Sequence, residues 1–370
     1  MKKILILLIN IFIFISGCTN NNLVVKTIYL DQAFSIIPIV SILDKEQKIN
    51  NMDLQFELSQ ITNNLDDKFN VFKENSLISI INKNAGIKKI TVDEEFIYVL
   101  NQALNVSEST TYNNNTLYDI SIFTIWKEWK FNENYYQYQN YASTPSSDII
   151  KQKLPLVNYK NIIIDYNEKT VYLKQKDMAI DLGSIVKGYA ADKISEYLLS
   201  NNFNNCLIDV GGNVITLGKN IGTNKNWKAG IQMPYTYATE IGYIQTNDTK
   251  ETLVTSGIYE RYIVEKNKET KEEIIYHHIL NPLTGYPENN ELISVTIITT
   301  QSIYADALST AVFLMGLDKG YEYILSQENV EAIFITQNKE IIITPNIQER
   351  FVINEEIYSK DYKIINYNLL

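Results

Sequence analysis

The sequence predicts an α+β fold in which helices and largely antiparallel sheets share one compact body, and three observations carry that reading. Two early segments, Met52 to Asn64 and Glu94 to Ser109, place apolar residues at helical spacing, with Phe96, Val99, Leu100, Ala103 and Leu104 on one stripe of the second. From Lys160 onward the chain turns to strand-length runs bounded by Asn, Gly and Pro, interrupted by further helical pattern. With 45% hydrophobic residues and no Pro/Ser/Gly-rich linker across 370 residues, the chain has the means for one large core.

Taken in order, Asn161 to Asp165 and Thr170 to Lys174 form a hairpin about Asn167-Glu168. A helix follows the glycine turn Asp181-Leu182-Gly183-Ser184, with Ile185, Tyr189, Ile194 and Tyr197 as its apolar face. Strands Cys206 to Val210 and Val214 to Gly218 flank Gly211-Gly212, residues that let a backbone bend or be approached closely. Further strands run from Tyr259 to Glu265, Glu273 to His278 and Leu292 to Thr300, with a turn through Asn267 to Glu272. Helices from Ser302 to Leu317 and Lys319 to Gln327 precede terminal strands at Val330 to Thr336 and Glu340 to Thr344.

The N-terminus speaks to location. Lys2 and Lys3 precede an apolar stretch, Ile4 to Ile15, that is too short at 1.5 Å per residue to cross a hydrocarbon core of roughly 30 Å. It reads as a signal peptide over residues 1–17, ending in Ile15-Ser16-Gly17-Cys18, which resembles a bacterial lipobox. The mature chain then begins at Cys18, acylated and followed by a polar tether over residues 18–30, with lipid as the membrane anchor on the extracytoplasmic side. Residues 31–350 form the main domain and 351–370 a C-terminal extension. With Cys18 given to lipid, Cys206 has no partner for a disulfide, so stability rests on the core. The formal charge of −10, which becomes −12 on loss of Lys2 and Lys3, argues against nucleic acid as a partner.

Imidazole suits proton chemistry near neutral pH, and the two histidines of the chain, His277 and His278, are adjacent. The Asn281-Pro282-Leu283-Thr284-Gly285-Tyr286-Pro287 turn holds them at a strand end, where they serve either catalysis or capping. Strand alternation points them to opposite faces, so one of the pair can meet a substrate. Lys187 at the start of its helix favours an anion such as a phosphate, or else Ser184 caps that helix and Lys187 is solvated. Asp306 and Thr310, one turn apart, present hard oxygen donors suited to Mg²⁺, or else make a local hydrogen bond.

In order and spacing, Asp181 to Asp192, Leu207 to Leu217, Trp227 to Pro234, Thr255 to Tyr262, Tyr276 to Pro287 and Ser294 to Gly316 resemble the FAD:protein FMN transferase family, the ApbE-type flavin transferases. The likeness extends weakly upstream through Phe69 to Gly86 and Leu117 to Trp126. It implies the family's T-fold and an exported or lipid-anchored enzyme that cleaves FAD, passes FMN to a Ser or Thr hydroxyl of an acceptor flavoprotein and releases AMP. By the same resemblance, Asp306, Thr310 and the Ser184 backbone carbonyl hold Mg²⁺, and His278 deprotonates the acceptor hydroxyl. Asp181, Lys187, Ile279, Leu117, Tyr118 and Asp119 correspond to flavin-nucleotide contacts. Phe34 and Phe72 stand near the flavin where the family usually has Met and Tyr, and Asn281 replaces an aspartate. Mg²⁺-dependent hydrolysis of FAD to FMN and AMP, and FAD binding without turnover, are the alternative activities.

Overall fold

A computed structural model of the chain describes residues 24–44, 51–112, 115–134, 144–236, 239–266, 270–358 and 362–367. Its frame is a nine-stranded sheet whose strands lie side by side in chain order: β1 (Val24–Tyr29), β2 (Ile39–Asp44), β3 (Cys206–Asp209), β4 (Asn213–Leu217), β5 (Glu251–Gly257), β6 (Leu292–Thr299), β7 (Glu331–Thr336), β8 (Glu340–Ile343) and β9 (Lys363–Ile365). Every neighbouring pair is antiparallel except β8 and β9.

Both faces of this sheet are covered, because alternate residues feed two separate cores. Val295 and Ile297 of β6 and Ala332 and Phe334 of β7 point to one, while Ile298, Ile333 and Ile335 point to the other. The first face carries helices α1 (Asn51–Phe69), α2 (Glu94–Ser109), α3 (Val186–Ser200), α4 (Ser302–Met315) and α5 (Leu317–Leu325). The second carries a three-stranded sheet of Lys228–Gln232, Glu240–Gln245 and Phe351–Ile353, packed through Ala229, Ile231, Ile241 and Ile244.

The local reasons are chemical. Helix α2 starts where the Asp93 carboxylate accepts the Phe96 amide at 2.8 Å, and buries the stripe Phe96, Val99, Leu100 and Ala103. The fully buried ring of Phe96 stacks on Phe69 of α1 at 5.1 Å, a contact of the kind that contributes about 1.5–3 kcal/mol per ring through burial. Helix α4 is buried on nearly every side, from Ile303 through Leu314, and lies on β5 and β6 with α3 and α2 against it. It ends at Gly316, whose φ of +76° a side chain would disfavour.

The strands and helices read from the sequence appear within a few residues of their expected bounds, with three differences of extent. The segment 24–29, expected as tether, is β1 and pairs with β2, so the folded body begins before residue 31. Residues 351–353 and 363–365, expected as an extension, complete the small sheet and the edge of the large one. The strand expected from Tyr259 begins at Tyr262, because Gly257 to Arg261 make the turn that leads to the site. Cys18 and the signal peptide lie outside the described residues. Among the described residues no helix is long and apolar enough to cross a membrane.

Candidate active site

The site is organised by α3 and α4, which meet closely because α3 carries Gly188. A side-chain carbon there would lie 2.6 Å from the carbonyl carbon of Ser302 and 2.8 Å from Cβ of Asp306. At this crossing the Gly188 N–H donates to Asp306 Oδ2 at 2.9 Å. Gly188 is the third residue of α3, so its N–H is one of the first-turn amides a helix leaves without a partner of its own; Asp306 satisfies it, and the Ser184 carbonyl takes no bond from it. Ser184 does not cap α3 either. Ile185 occupies the N-cap without a side-chain bond, and Ser184 Oγ shares a 2.8 Å hydrogen bond with the buried Tyr118 hydroxyl.

Around Asp306 the donors are oxygen-rich. Its second oxygen, Oδ1, faces the Lys187 ammonium at 3.7 Å. Burial pushes the Asp306 carboxyl up from the ordinary carboxylate range, opposed by Lys187 and the Gly188 amide. Thr310 Oγ1 lies one turn on, 3.1 Å from Ser256 Oγ at the end of β5. Asn213 Nδ2 donates to the Val210 carbonyl at 3.3 Å, its amide favours the charged form of Asp306, and its Oδ1 is buried without a donor. Among the described residues no cluster of three or more His, Cys, Asp or Glu side chains could hold a metal. A cation here would therefore sit on one carboxylate and neutral oxygens. Mg²⁺ suits that donor set, because it retains water and substrate phosphate in its shell.

The histidines lie at the base of a two-stranded hairpin, Tyr262–Lys266 paired with Glu273–His277. His278 is half-buried, and its main-chain N–H and its Nδ1 both bond to the Arg261 carbonyl, at 3.0 and 2.9 Å. A carbonyl only accepts, so Nδ1 carries the proton and Nε2 carries the lone pair. Nε2 makes no hydrogen bond among the described residues. Burial, with Arg261 nearby, pushes His278 down to about 3, so the ring is neutral at physiological pH. His277 is different. Its Nε2 donates to the Glu288 carbonyl at 2.8 Å, its Nδ1 accepts the Ile279 amide at 3.3 Å, and its ring meets Phe313 of α4 edge-on. Both nitrogens are spent on structure, as strand alternation requires of one of the pair.

Lys187 links the two halves, since its charge acts on His278, Asp306, Asp209 and Glu260 alike. Asp181, whose Oδ1 accepts the Gly183 amide at 2.9 Å, is pushed up to about 6 by burial, opposed by that hydrogen bond and by Arg261. Beside Asp209, the Gly211-Gly212 turn has positive φ at both residues and open space before Gly212. Ile36, in the loop that holds Phe34, packs against Gly211.

Three of the remaining expected residues have structural partners of their own. The Asp119 carboxylate caps a short turn, its Oδ1 accepting Ser121 N–H and Ser121 Oγ–H at 2.9 and 2.6 Å and its Oδ2 accepting Tyr159 N–H at 2.8 Å. Ile279 is core, its carbonyl accepting Glu288 N–H, and Leu117 packs against the same core. Phe72, by contrast, is 54% exposed and sits 6.1 Å from Trp126 and 6.5 Å from Phe123. Trp126 in turn donates to the His278 carbonyl at 3.1 Å. Phe72 was expected near the flavin, but the shelf that Trp126 and Phe123 build with it beside His278 was not read from the sequence, nor were Arg261, Ser256 and Asn213. Asn281 closes the turn after the histidines by accepting Leu283 N–H at 2.8 Å and donating to Glu288, which an aspartate could not do.

With this geometry in view, the model of the ApbE family matches residues 34–334. The chain belongs to the ApbE family. Among curated relatives, the FAD:protein FMN transferase of Klebsiella pneumoniae is 32% identical over 79% of this chain and 85% of its own length. That of Treponema pallidum is 28% identical over 75% of each. The ApbE protein of Thermotoga maritima superposes with a TM-score of 0.74 at 28% identity, covering 88% of this chain and 99% of that one. The flavin transferase ApbE of Vibrio cholerae shares the fold at 18% identity, with a TM-score of 0.72 over 88% of this chain and 100% of that one. The nine-stranded sheet and its helices are thus the ApbE fold in this chain.

Proposed function

We propose that this ApbE-family chain is an FAD:protein FMN transferase that moves FMN from FAD to a Ser or Thr hydroxyl of an acceptor flavoprotein and releases AMP. The observation that carries this is the meeting, around Lys187, of one neutral imidazole with an open Nε2 and an oxygen cluster built on a single carboxylate.

Transfer forms a bond between the acceptor oxygen and the phosphorus of the FMN phosphate, and breaks the bridging P–O bond of the pyrophosphate. The bond's electron pair leaves with AMP. His278 accepts the hydroxyl proton at Nε2, and its Nδ1–H on the Arg261 carbonyl keeps the lone pair aimed while that happens. The Lys187 ammonium offsets phosphate charge, which otherwise repels an incoming oxygen. Ser184 O, Asp306 and Thr310 would hold Mg²⁺, whose chemistry when bound is to neutralise the pyrophosphate and make AMP a better leaving group. The shelf of Phe72 and Trp126 offers an apolar surface on which a flavin ring can stack beside the base.

The place of action belongs to the same proposal: a lipoprotein acylated at Cys18 works outside the cytoplasm on exported or membrane-associated acceptors. Fatty-acid labelling of the wild type and not of Cys18→Ser supports it, and equal labelling of both overturns it. For the reaction, the full chain is incubated with FAD, Mg²⁺ and an acceptor domain, and in-gel flavin fluorescence is compared with AMP release. Fluorescent acceptor in step with AMP, lost in Asp306→Ala and in EDTA, is the expected result. AMP without labelled acceptor makes the chain an FAD hydrolase; neither product leaves an FAD-binding protein.

A further inference from the structure

Helices α3 and α4 satisfy each other's first turns. Neither has a side-chain cap of its own: Ile185 and Gln301 stand at the two N-cap positions and make no such bond. At the buried start of α4, the Ser302 and Ile303 N–H groups instead donate to the two oxygens of Asp192, at 3.1 and 2.8 Å. Asp192 lies on α3, one turn beyond Gly188, and Lys250 neutralises it from the edge of β5 at 2.7 Å. In return, Asp306 of α4 takes the Gly188 N–H of α3. Two carboxylates thus lock the two helices in a reciprocal clasp. Asp306 sits four residues after Ser302, so the depth and roll of α4 set by Asp192 also set where Asp306 Oδ1 and Thr310 Oγ1 stand.

We infer that Asp192 is a positioning residue for the Asp306–Thr310 metal site: it touches neither substrate nor metal, and it fixes the start of the helix that presents both ligands. This rests on the metal assignment proposed above. A carboxylate is required, because it alone accepts two amides and a lysine at once; an amide of the same shape accepts at one atom and places N–H groups against donors.

The test compares wild type with Asp192→Asn as full-length chains, titrating magnesium chloride by calorimetry and FAD by fluorescence in EDTA. Asp192→Asn is expected to bind Mg²⁺ about tenfold to a hundredfold more weakly, as when a partner that orients a ligand is lost. Its FAD affinity in EDTA should match the wild type, and turnover should recover toward wild type in excess Mg²⁺. A second measurement uses the wild type alone: Mg²⁺ should slow hydrogen exchange at the amides of Ser302 and Ile303. A lower melting temperature with unchanged Mg²⁺ affinity would reduce Asp192 to a helix cap and overturn the inference. Should Asp192→Asn not fold, unchanged exchange at those amides overturns it equally. Absence of Mg²⁺ binding by the wild type refutes the metal assignment itself, a different outcome from wild-type binding that Asp192→Asn retains.

Discussion

Gly188→Ala puts the helix crossing to the test, because two effects of known size oppose each other there. In an open helix the change gains about 1 kcal/mol, since alanine loses less backbone entropy than glycine. At Gly188 the new carbon falls 2.6 Å from the carbonyl carbon of Ser302, closer still to that carbonyl's oxygen, and 2.8 Å from Asp306 Cβ. These atoms belong to the backbone and first side-chain carbon of a buried helix, so they cannot swing aside. Overpacking of this kind costs about 1–3 kcal/mol, and separating the helices stretches the Gly188 N–H to Asp306 bond, a charged hydrogen bond of about 1.5–3 kcal/mol. The steric and hydrogen-bond terms together exceed the propensity gain, leaving a net loss of roughly 2–5 kcal/mol. In a chain of this size that corresponds to a fall in Tm on the order of 3–7 °C. Circular dichroism melts in EDTA read the stability, and magnesium titration reads the displacement of Asp306. A variant that melts at or above the wild-type temperature and binds Mg²⁺ normally would refute the packing of α3 against α4 described here.

Other perturbations separate base, shelf and charge. His278→Ala should retain FAD and transfer FMN to an acceptor threonine about a hundred- to ten-thousand-fold more slowly, whereas His277→Ala should mainly lower Tm through its lost bonds to Glu288 and Ile279; the reverse pattern means the base is misassigned. Phe72→Ala, at an exposed ring, should leave Tm unchanged and weaken FAD by roughly two- to tenfold in fluorescence titration, and undiminished affinity removes the shelf from the flavin site. Burial raises the folded pKa of Asp181 to about 6 from the ordinary 3.8, so its charge opposes folding above pH 6 and that cost fades as pH falls toward 3.8. Asp181→Asn should accordingly raise Tm at pH 8 and not at pH 4; a uniform shift across pH contradicts the burial argument. The histidines act the other way, since their folded pKa values lie below 6.5, and stability present above that pH is lost as pH falls toward about 3. His278→Ala should flatten that acid limb of the Tm profile.

Local pattern determined much of this protein. The helical stripe from Glu94, the strand runs after Lys160, the glycines at 211 and 212, and the alternation that sends His277 and His278 to opposite faces are all consequences of near neighbours in the chain. The spacing of Asp306 and Thr310 likewise needs nothing beyond helix geometry. Tertiary structure decided what a single segment cannot specify. That residues 24–29 are a strand depends on β2 lying beside them and on β3, far along the chain, continuing the sheet. That Asp119 caps a turn and Phe72 is left exposed depends on which backbone and rings come to lie beside them. The same holds for Asp192, which reads as one more polar residue of an amphipathic helix until the buried amides of Ser302 and Ile303 are brought within 3.1 and 2.8 Å of it. Side-chain chemistry is written in the chain, but whether a carboxylate caps, coordinates or titrates is set by the donors and the burial that folding places around it.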